Sequence, residues 1–258
     1  MSQEAAIDWM KVPIAERIET AQRTRNALWC RGATAEPIVG MVGVVSFGAV
    51  VRDLAYFIQG DQGPGPGVLL LHSLWGLTSS VKSLADDLAE RGYTVLAPDI
   101  NFGELPETEG AALDHLGQAS PDRLASLVLS SAALLHEKST KGPVGIIGFG
   151  MGGSLGLWAS VRLHDIVTAA VSFYGSQQID FAGSNAAYLI HLAETDEFIS
   201  DDEAAFMEAT MGLEDLAVTV ERYPGTQHGF GDPDGESFDP GAFDQAWERT
   251  VAFLDKTL

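Results

Sequence analysis

Three positions hold most of the chemistry this chain can do. Asp196 lies in Glu194-Thr195-Asp196-Glu197-Phe198, and His228 lies in Pro224-Gly225-Thr226-Gln227-His228-Gly229-Phe230. Each segment directly follows a strand-like apolar run. A carboxylate on one ring nitrogen of a histidine fixes its tautomer and stabilises its charged form. The other nitrogen is then free to move a proton. The third position is Gly150, inside IIGFGMGGSLG (146–156). That stretch fits two motifs: the dinucleotide fingerprint G-x-G-x-x-G, and the hydrolase nucleophile elbow G-x-Nuc-x-G-G with Gly150 in the attacking residue's place.

The two motifs predict different surroundings. A site for NAD(P) needs an acidic residue roughly 20 positions on, at the end of the next strand. The next apolar run ends in Ser172-Phe173-Tyr174-Gly175, with no carboxylate, and Asp165 precedes that run. The motif also comes after at least two core strands instead of opening the fold. An elbow predicts an acid and a base in chain order after later strands, and Asp196 and His228 stand there. Gly152-Gly153-Ser154-Leu155-Gly156 also spells G-x-S-x-G, but the strand ends near Phe149. Ser154 therefore falls one helical turn past the bend. The six histidines (72, 115, 136, 164, 191, 228) form no H-x-x-x-H pair, so no metal is expected, and His191 reads as a packed core residue.

These groups need a scaffold. From residue 68 onward, short continuous apolar runs alternate with amphipathic stretches. VLLLH (68–72), YTVLAPD (93–99), PVGIIGF (143–149), IVTAAVSFYG (166–175), AAYLIHLAE (186–194) and AVTVERYPG (217–225) read as strands. Residues 80–92, 121–138, 152–164, 201–212 and 239–258 read as helices. The alternation predicts an α/β fold with a mostly parallel central sheet and helices on both faces. MVGVVSFGAV (41–50) and VRDLAYFIQ (51–59) predict antiparallel strands at its N-terminal edge. Residues 101–120 show no clear periodicity and read as a long loop. Residues 1–30 show helical spacing (Ile14, Ile18, Ala21, Leu28). The organisation expected is a helical arm and connector over 1–40 and one domain over 41–258, with the arm a site for homodimer contact.

The chain has 258 residues, 46% apolar, with a formal net charge of −21. That surface repels phosphate backbones, which argues against nucleic acid as a partner. No apolar run is long enough to span a bilayer, and the N-terminus lacks a signal-peptide pattern. The single cysteine, Cys30, cannot form an internal disulfide, so a cytoplasmic location is expected.

LLLHSLWGL (69–77), VLAPDI (95–100), VGIIGFGMGG (144–153), VSFYG (171–175), LIHLAETDEF (189–198) and YPGTQHGF (223–230) together resemble the dienelactone hydrolases of the α/β-hydrolase fold over residues 42–258. The resemblance implies Asp196 as acid, His228 as base, and an oxyanion hole from the backbone N–H groups of Leu74 and Met151. It also marks departures. Gly150 stands where the family has a nucleophilic Cys or Ser, and Ser73 where it has a glutamate. Gly103 and Asp232 stand where it places arginines for a substrate carboxylate. Glu104, Glu107, Glu109, Asp232 and Asp234 add acid instead. The expected partner is a small neutral ester, lactone or related carbonyl compound, handled without a cofactor. Ser73, Trp75, Phe102 and Tyr174 are the candidate pocket residues.

Glycine adopts an elbow's backbone conformation without penalty, so Gly150 keeps the fold while removing covalent catalysis. Three readings follow. His228 activates water or shuttles a proton in a non-hydrolytic step; the chain is an inactive binding or scaffold protein; or Gly150 replaces the Ser or Cys of a two-step parent.

Overall fold

In a computed structural model, the structure describes residues 55–140 and 142–258. The expected arm, connector and strand 41–50, and the dimer contact assigned to the arm, lie outside them. Among the described residues, seven strands form one sheet: β1 (Ala55–Gln59), β2 (Gly67–Leu71), β3 (Thr94–Pro98), β4 (Val144–Phe149), β5 (Val167–Phe173), β6 (Ala187–Thr195) and β7 (Val218–Gln227). Their order is β1-β3-β2-β4-β5-β6-β7. β1 runs antiparallel to β3, and every other pair is parallel. The continuous apolar runs became strands buried at every position in β2, β3 and β4, because helices cover both faces.

Six helices provide that cover: α1 (Ser79–Glu90), α2 (Glu109–Gln118), α3 (Pro121–Lys138), α4 (Met151–Arg162), α5 (Asp201–Leu213) and α6 (Pro240–Thr257). Successive side chains of β2 enter opposite cores. Leu69 and Leu71 join a cluster with Leu124, Trp158 and Met207 from α3, α4 and α5. Val68 and Leu70 join one with Leu88 and Trp247 from α1 and α6. Burying one such side chain contributes roughly 1.5–3 kcal/mol. Among the described residues, no helix is long and apolar enough to cross a membrane.

One expectation needs correction. Residues 101–120 are not loop throughout, because α2 occupies their second half. Thr108 caps it by accepting the Ala111 N–H, and Ala112, Leu113 and Leu116 are buried at helical spacing. Three apolar residues among Gly and Glu were too few to show a period in the sequence. The rest of the segment is irregular.

The sheet order prepares a crevice. β2 has β3 on one side and β4 on the other, so the connections leaving β2 and β4 diverge. In open α/β sheets, ligands bind outside the carboxyl ends of the strands at such a point. Leu74 follows β2 and Gly150 follows β4.

His191 of β6 is packed in the core. Its Nδ1 lies 2.8 Å from the Tyr223 hydroxyl and its Nε2 3.0 Å from Thr250 Oγ1. Burial, helped by Arg249, pulls its pKa from 6.5 down to about 3. The unfolded chain therefore binds a proton below 6.5 that the folded chain refuses. Stability is full above pH 6.5 and falls as the pH drops toward 3. At pH 5 this group alone removes about 2 kcal/mol relative to neutrality. Urea unfolding of His191→Gln at pH 7 and pH 5 should show that much less acid sensitivity. An unchanged difference between the two pH values would contradict the assignment.

Candidate active site

The bend at Gly150 is built by close approach. β4 ends at Phe149 and α4 starts at Met151, and Gly150 between them has φ 51° and ψ −111°. L side chains rarely adopt that φ. A Cβ at Gly148 would collide with the backbone of Gly152, and one at Gly152 with the carbonyl oxygens of Leu71 and His72. Glycine at both positions lets strand, helix and the end of β2 touch. Gly150 is different. A Cβ there would meet His228 Nε2 at 3.6 Å and the Tyr174 ring at 3.8 Å, both ordinary contacts. Its backbone favours glycine while the space above it would admit a side chain. Ser154 lies one turn into α4, where its hydroxyl accepts the Ser176 N–H at 3.2 Å.

Asp196 and His228 leave adjacent strands, β6 and β7, and meet above the bend. His228 Nδ1 lies 2.9 Å from Asp196 Oδ1 and 2.8 Å from Oδ2. Nδ1 therefore carries a proton that it donates to the carboxylate, and Nε2 faces Gly150. Asp196 Oδ1 also accepts the N–H groups of Phe198 at 2.8 Å and Ile199 at 3.0 Å, so the carboxylate is fixed from both sides. The cap of α5 is Ser200, in a capping box with Glu203, and not Asp196. The edge of Tyr174 and the ring of Phe198 flank the imidazole, with centroids at 4.8 Å and 4.6 Å.

Met151 is the first residue of α4, so its N–H has no carbonyl partner within the helix and sits at the positive end of the helix dipole. Leu74 lies in the turn after β2. The four candidate pocket residues differ in placement. Ser73 is buried and its hydroxyl donates to the carboxylate of buried Asp232. Burial pushes the Asp232 carboxyl up, which the Ser73 bond partly offsets. Trp75 is half-buried, with its indole nitrogen beside Gly235. Phe102 has φ 55° and packs under the Arg123 guanidinium, 3.6 Å from its ring centroid. Tyr174 is 1% exposed and borders Gly150.

The sequence model of the dienelactone hydrolase family matches residues 54–258. The chain belongs to the dienelactone hydrolase family. Protein usf of Aquifex pyrophilus is 31% identical over 214 residues, covering 78% of this chain and 93% of the relative. The carboxymethylenebutenolidase of Pseudomonas putida is 22% identical over 226 residues, covering 81% and 91%. Among solved structures, a dienelactone hydrolase-like promiscuous phosphotriesterase from metagenomic libraries superposes with TM-score 0.67 at 22% identity, covering 79% of this chain and 92% of the other. The dienelactone hydrolase of Anabaena variabilis gives 0.58 at 19% identity, covering 79% and 91%. The fold is the α/β-hydrolase fold.

For a member of this hydrolase family, the expected Asp196, His228 and Gly150 lie at one rim of the sheet, with Leu74 in the turn after β2 and Met151 at the start of α4. Two features escaped the sequence reading. One is the Ser73–Asp232 bond, between residues 159 positions apart, for which no local signal exists. The other is the set of polar contacts around Leu74. Asn101 Nδ2 donates to the Leu74 carbonyl at 2.8 Å, and His72 Nδ1 lies 2.6 Å from the Ser73 carbonyl.

The Tyr174 hydroxyl is buried without a hydrogen-bond partner among the described residues. Burial, reinforced by Asp232 and Asp196, pushes the phenol well above its ordinary value, so it stays protonated. An unpaired buried hydroxyl is destabilising, so Tyr174→Phe should gain about 1 kcal/mol in denaturant unfolding. A loss of that size would show that the hydroxyl has a partner in solution.

Proposed function

We propose that this family member hydrolyses small neutral esters or lactones by direct attack of water, without an acyl-enzyme. The observation that carries the reading is the position of His228 Nε2, 3.6 Å from where a Cβ on residue 150 would lie, with Nδ1 committed to Asp196. The base is oriented toward the bend, and residue 150 brings no nucleophile to it.

In the mechanism, water in this space gives a proton to His228 Nε2 as its oxygen attacks the carbonyl carbon. Asp196 stabilises the imidazolium through the Nδ1 proton. The tetrahedral oxyanion takes hydrogen bonds from the N–H groups of Leu74 and Met151. On collapse the C–O bond to the leaving alcohol breaks, and its oxygen takes the proton back from Nε2. A lactone opens by the same steps to a hydroxy acid. His228 ends neutral, ready for another water.

The substrate class rests on charge and surface. Gly103 and Asp232 stand where the resemblance places arginines for a substrate carboxylate, so neither position offers such a group a cation. Trp75, Phe102 and Tyr174 offer aromatic surface. The Pseudomonas putida relative is named for a butenolide, a lactone, which supports the ring-opening variant of the reaction.

The test is a panel of small neutral esters and lactones beside a carboxylate-bearing lactone, with the intact mass of the protein followed during turnover. The expected result is hydrolysis of the neutral compounds, slower reaction of the anionic one, and no acyl adduct. Absence of turnover by the unmodified chain, or accumulation of an adduct, overturns the reading.

A further inference from the structure

We propose that His72 is a positioning residue that aims the Leu74 N–H at the reacting carbonyl, with Asp232 and Asn101 as supporting anchors. The inference rests on the water-attack reading for its catalytic consequence, though its geometry stands alone.

His72 is fully buried at the end of β2. Its Nε2 accepts the Ile100 N–H at 3.0 Å, so that nitrogen carries no proton. The nearest Asp99 oxygen lies 3.6 Å from Nε2, beyond hydrogen-bond reach, and already accepts the Asn101 N–H. The ring proton therefore sits on Nδ1 and is donated to the Ser73 carbonyl at 2.6 Å. That carbonyl and the Leu74 N–H belong to one peptide unit. A trans peptide is planar, with C=O and N–H pointing in opposite directions. Holding the Ser73 oxygen on the buried imidazole thus turns the Leu74 N–H away from the core. The bond also polarises the peptide and makes that N–H a stronger donor.

The next peptide is pinned as well. Asn101 Nδ2 holds the Leu74 carbonyl at 2.8 Å, and the Trp75 N–H reaches Ser73 Oγ at 3.3 Å. Ser73 Oγ is in turn fixed by Asp232. Both peptides flanking Leu74 are held before any substrate arrives, as a preorganised oxyanion donor requires. The packing of Gly152 against the carbonyls of Leu71 and His72 sets this segment alongside the first turn of α4, where Met151 supplies the second donor.

The test combines turnover with a readout that does not need it. Nitrogen-15 spectra of the histidine rings should show the His72 proton on Nδ1, and the Leu74 amide resonance should move in His72→Phe. In turnover, His72→Phe should lower kcat roughly ten- to a hundred-fold with KM within about twofold, because the donor is misaimed only where charge develops. His72→Gln can donate to the Ser73 carbonyl and accept from Ile100, and should recover most of the loss. Should His72→Phe not fold, Asn101→Ala frees the Leu74 carbonyl and should show the same kcat-selective loss. A proton on Nε2, or a Leu74 resonance unmoved by the folded variants, overturns the inference whatever the activity. Equal kcat in His72→Phe and the unmodified chain does so too. If the unmodified chain turns over no ester, the proposed function fails, and the spectra alone still judge the role of His72.

Discussion

Gly150→Ser is expected to raise ester hydrolysis roughly a hundred- to ten-thousand-fold over the unmodified chain. The space and the base are both in place. A Cβ at residue 150 meets nothing closer than His228 Nε2 at 3.6 Å, which sets a serine hydroxyl within hydrogen-bond reach of that nitrogen. Water attacking from the same space must be ordered at each turnover, whereas a tethered hydroxyl is already there, and removing such an entropic barrier is a large effect. The backbone opposes the change. At φ 51° an L residue costs about 1–2 kcal/mol relative to glycine, so the variant should unfold a few degrees lower. The mechanism should change with the rate: an acyl adduct should appear in the intact mass, and a fluorophosphonate should label residue 150 in the variant and not in the parent. A variant that neither accelerates nor labels would mean that the imidazole is out of register with the bend.

Much of this arrangement was legible in the chain because it is local or periodic. The parallel strands announce themselves as continuous apolar runs, since a strand buried on both faces has no polar face to alternate. The bend announces itself because only glycine fits where Gly148 and Gly152 meet other backbone. The placement of Gly150, Asp196 and His228 after β4, β6 and β7 follows from a parallel sheet, which keeps the carboxyl ends on one side. What could not be read depends on contacts without local pattern. Asp232 reads in the sequence as an acid added to the pocket beside Asp234, yet it is buried on Ser73, while Asp234 binds the hydroxyls of Thr78 and Ser80 at the start of α1. The loop after His228 is thereby braced against the loop after β2. His72 looked like one of six unremarkable histidines until the Ile100 and Ser73 backbone groups settled its tautomer. Helix α2 was missed for another reason: its cap and its three buried residues become informative only once a surface exists to receive them.

His228→Ala should reduce turnover of neutral esters by roughly a hundred- to ten-thousand-fold, the usual share of a positioned general base. Asp196 Oδ1 keeps the Phe198 and Ile199 amides in this variant, so the fold should survive and far-UV circular dichroism should match the parent. Asp196→Asn is the subtler change. An amide at that position can present its NH2 instead of its oxygen to Nδ1, which draws the ring proton to Nε2 and turns the base away from its task. It should therefore lower kcat with little change in KM, and by less than His228→Ala. The sharper result is the pairing with Gly150→Ser. If the new hydroxyl acts through the imidazole, Gly150→Ser with His228→Ala should fall close to the level of His228→Ala alone, a coupling far outside additivity. Additive effects would mean that serine and histidine act at separate places, and the convergence of residues 150, 196 and 228 on one reaction would have to be abandoned.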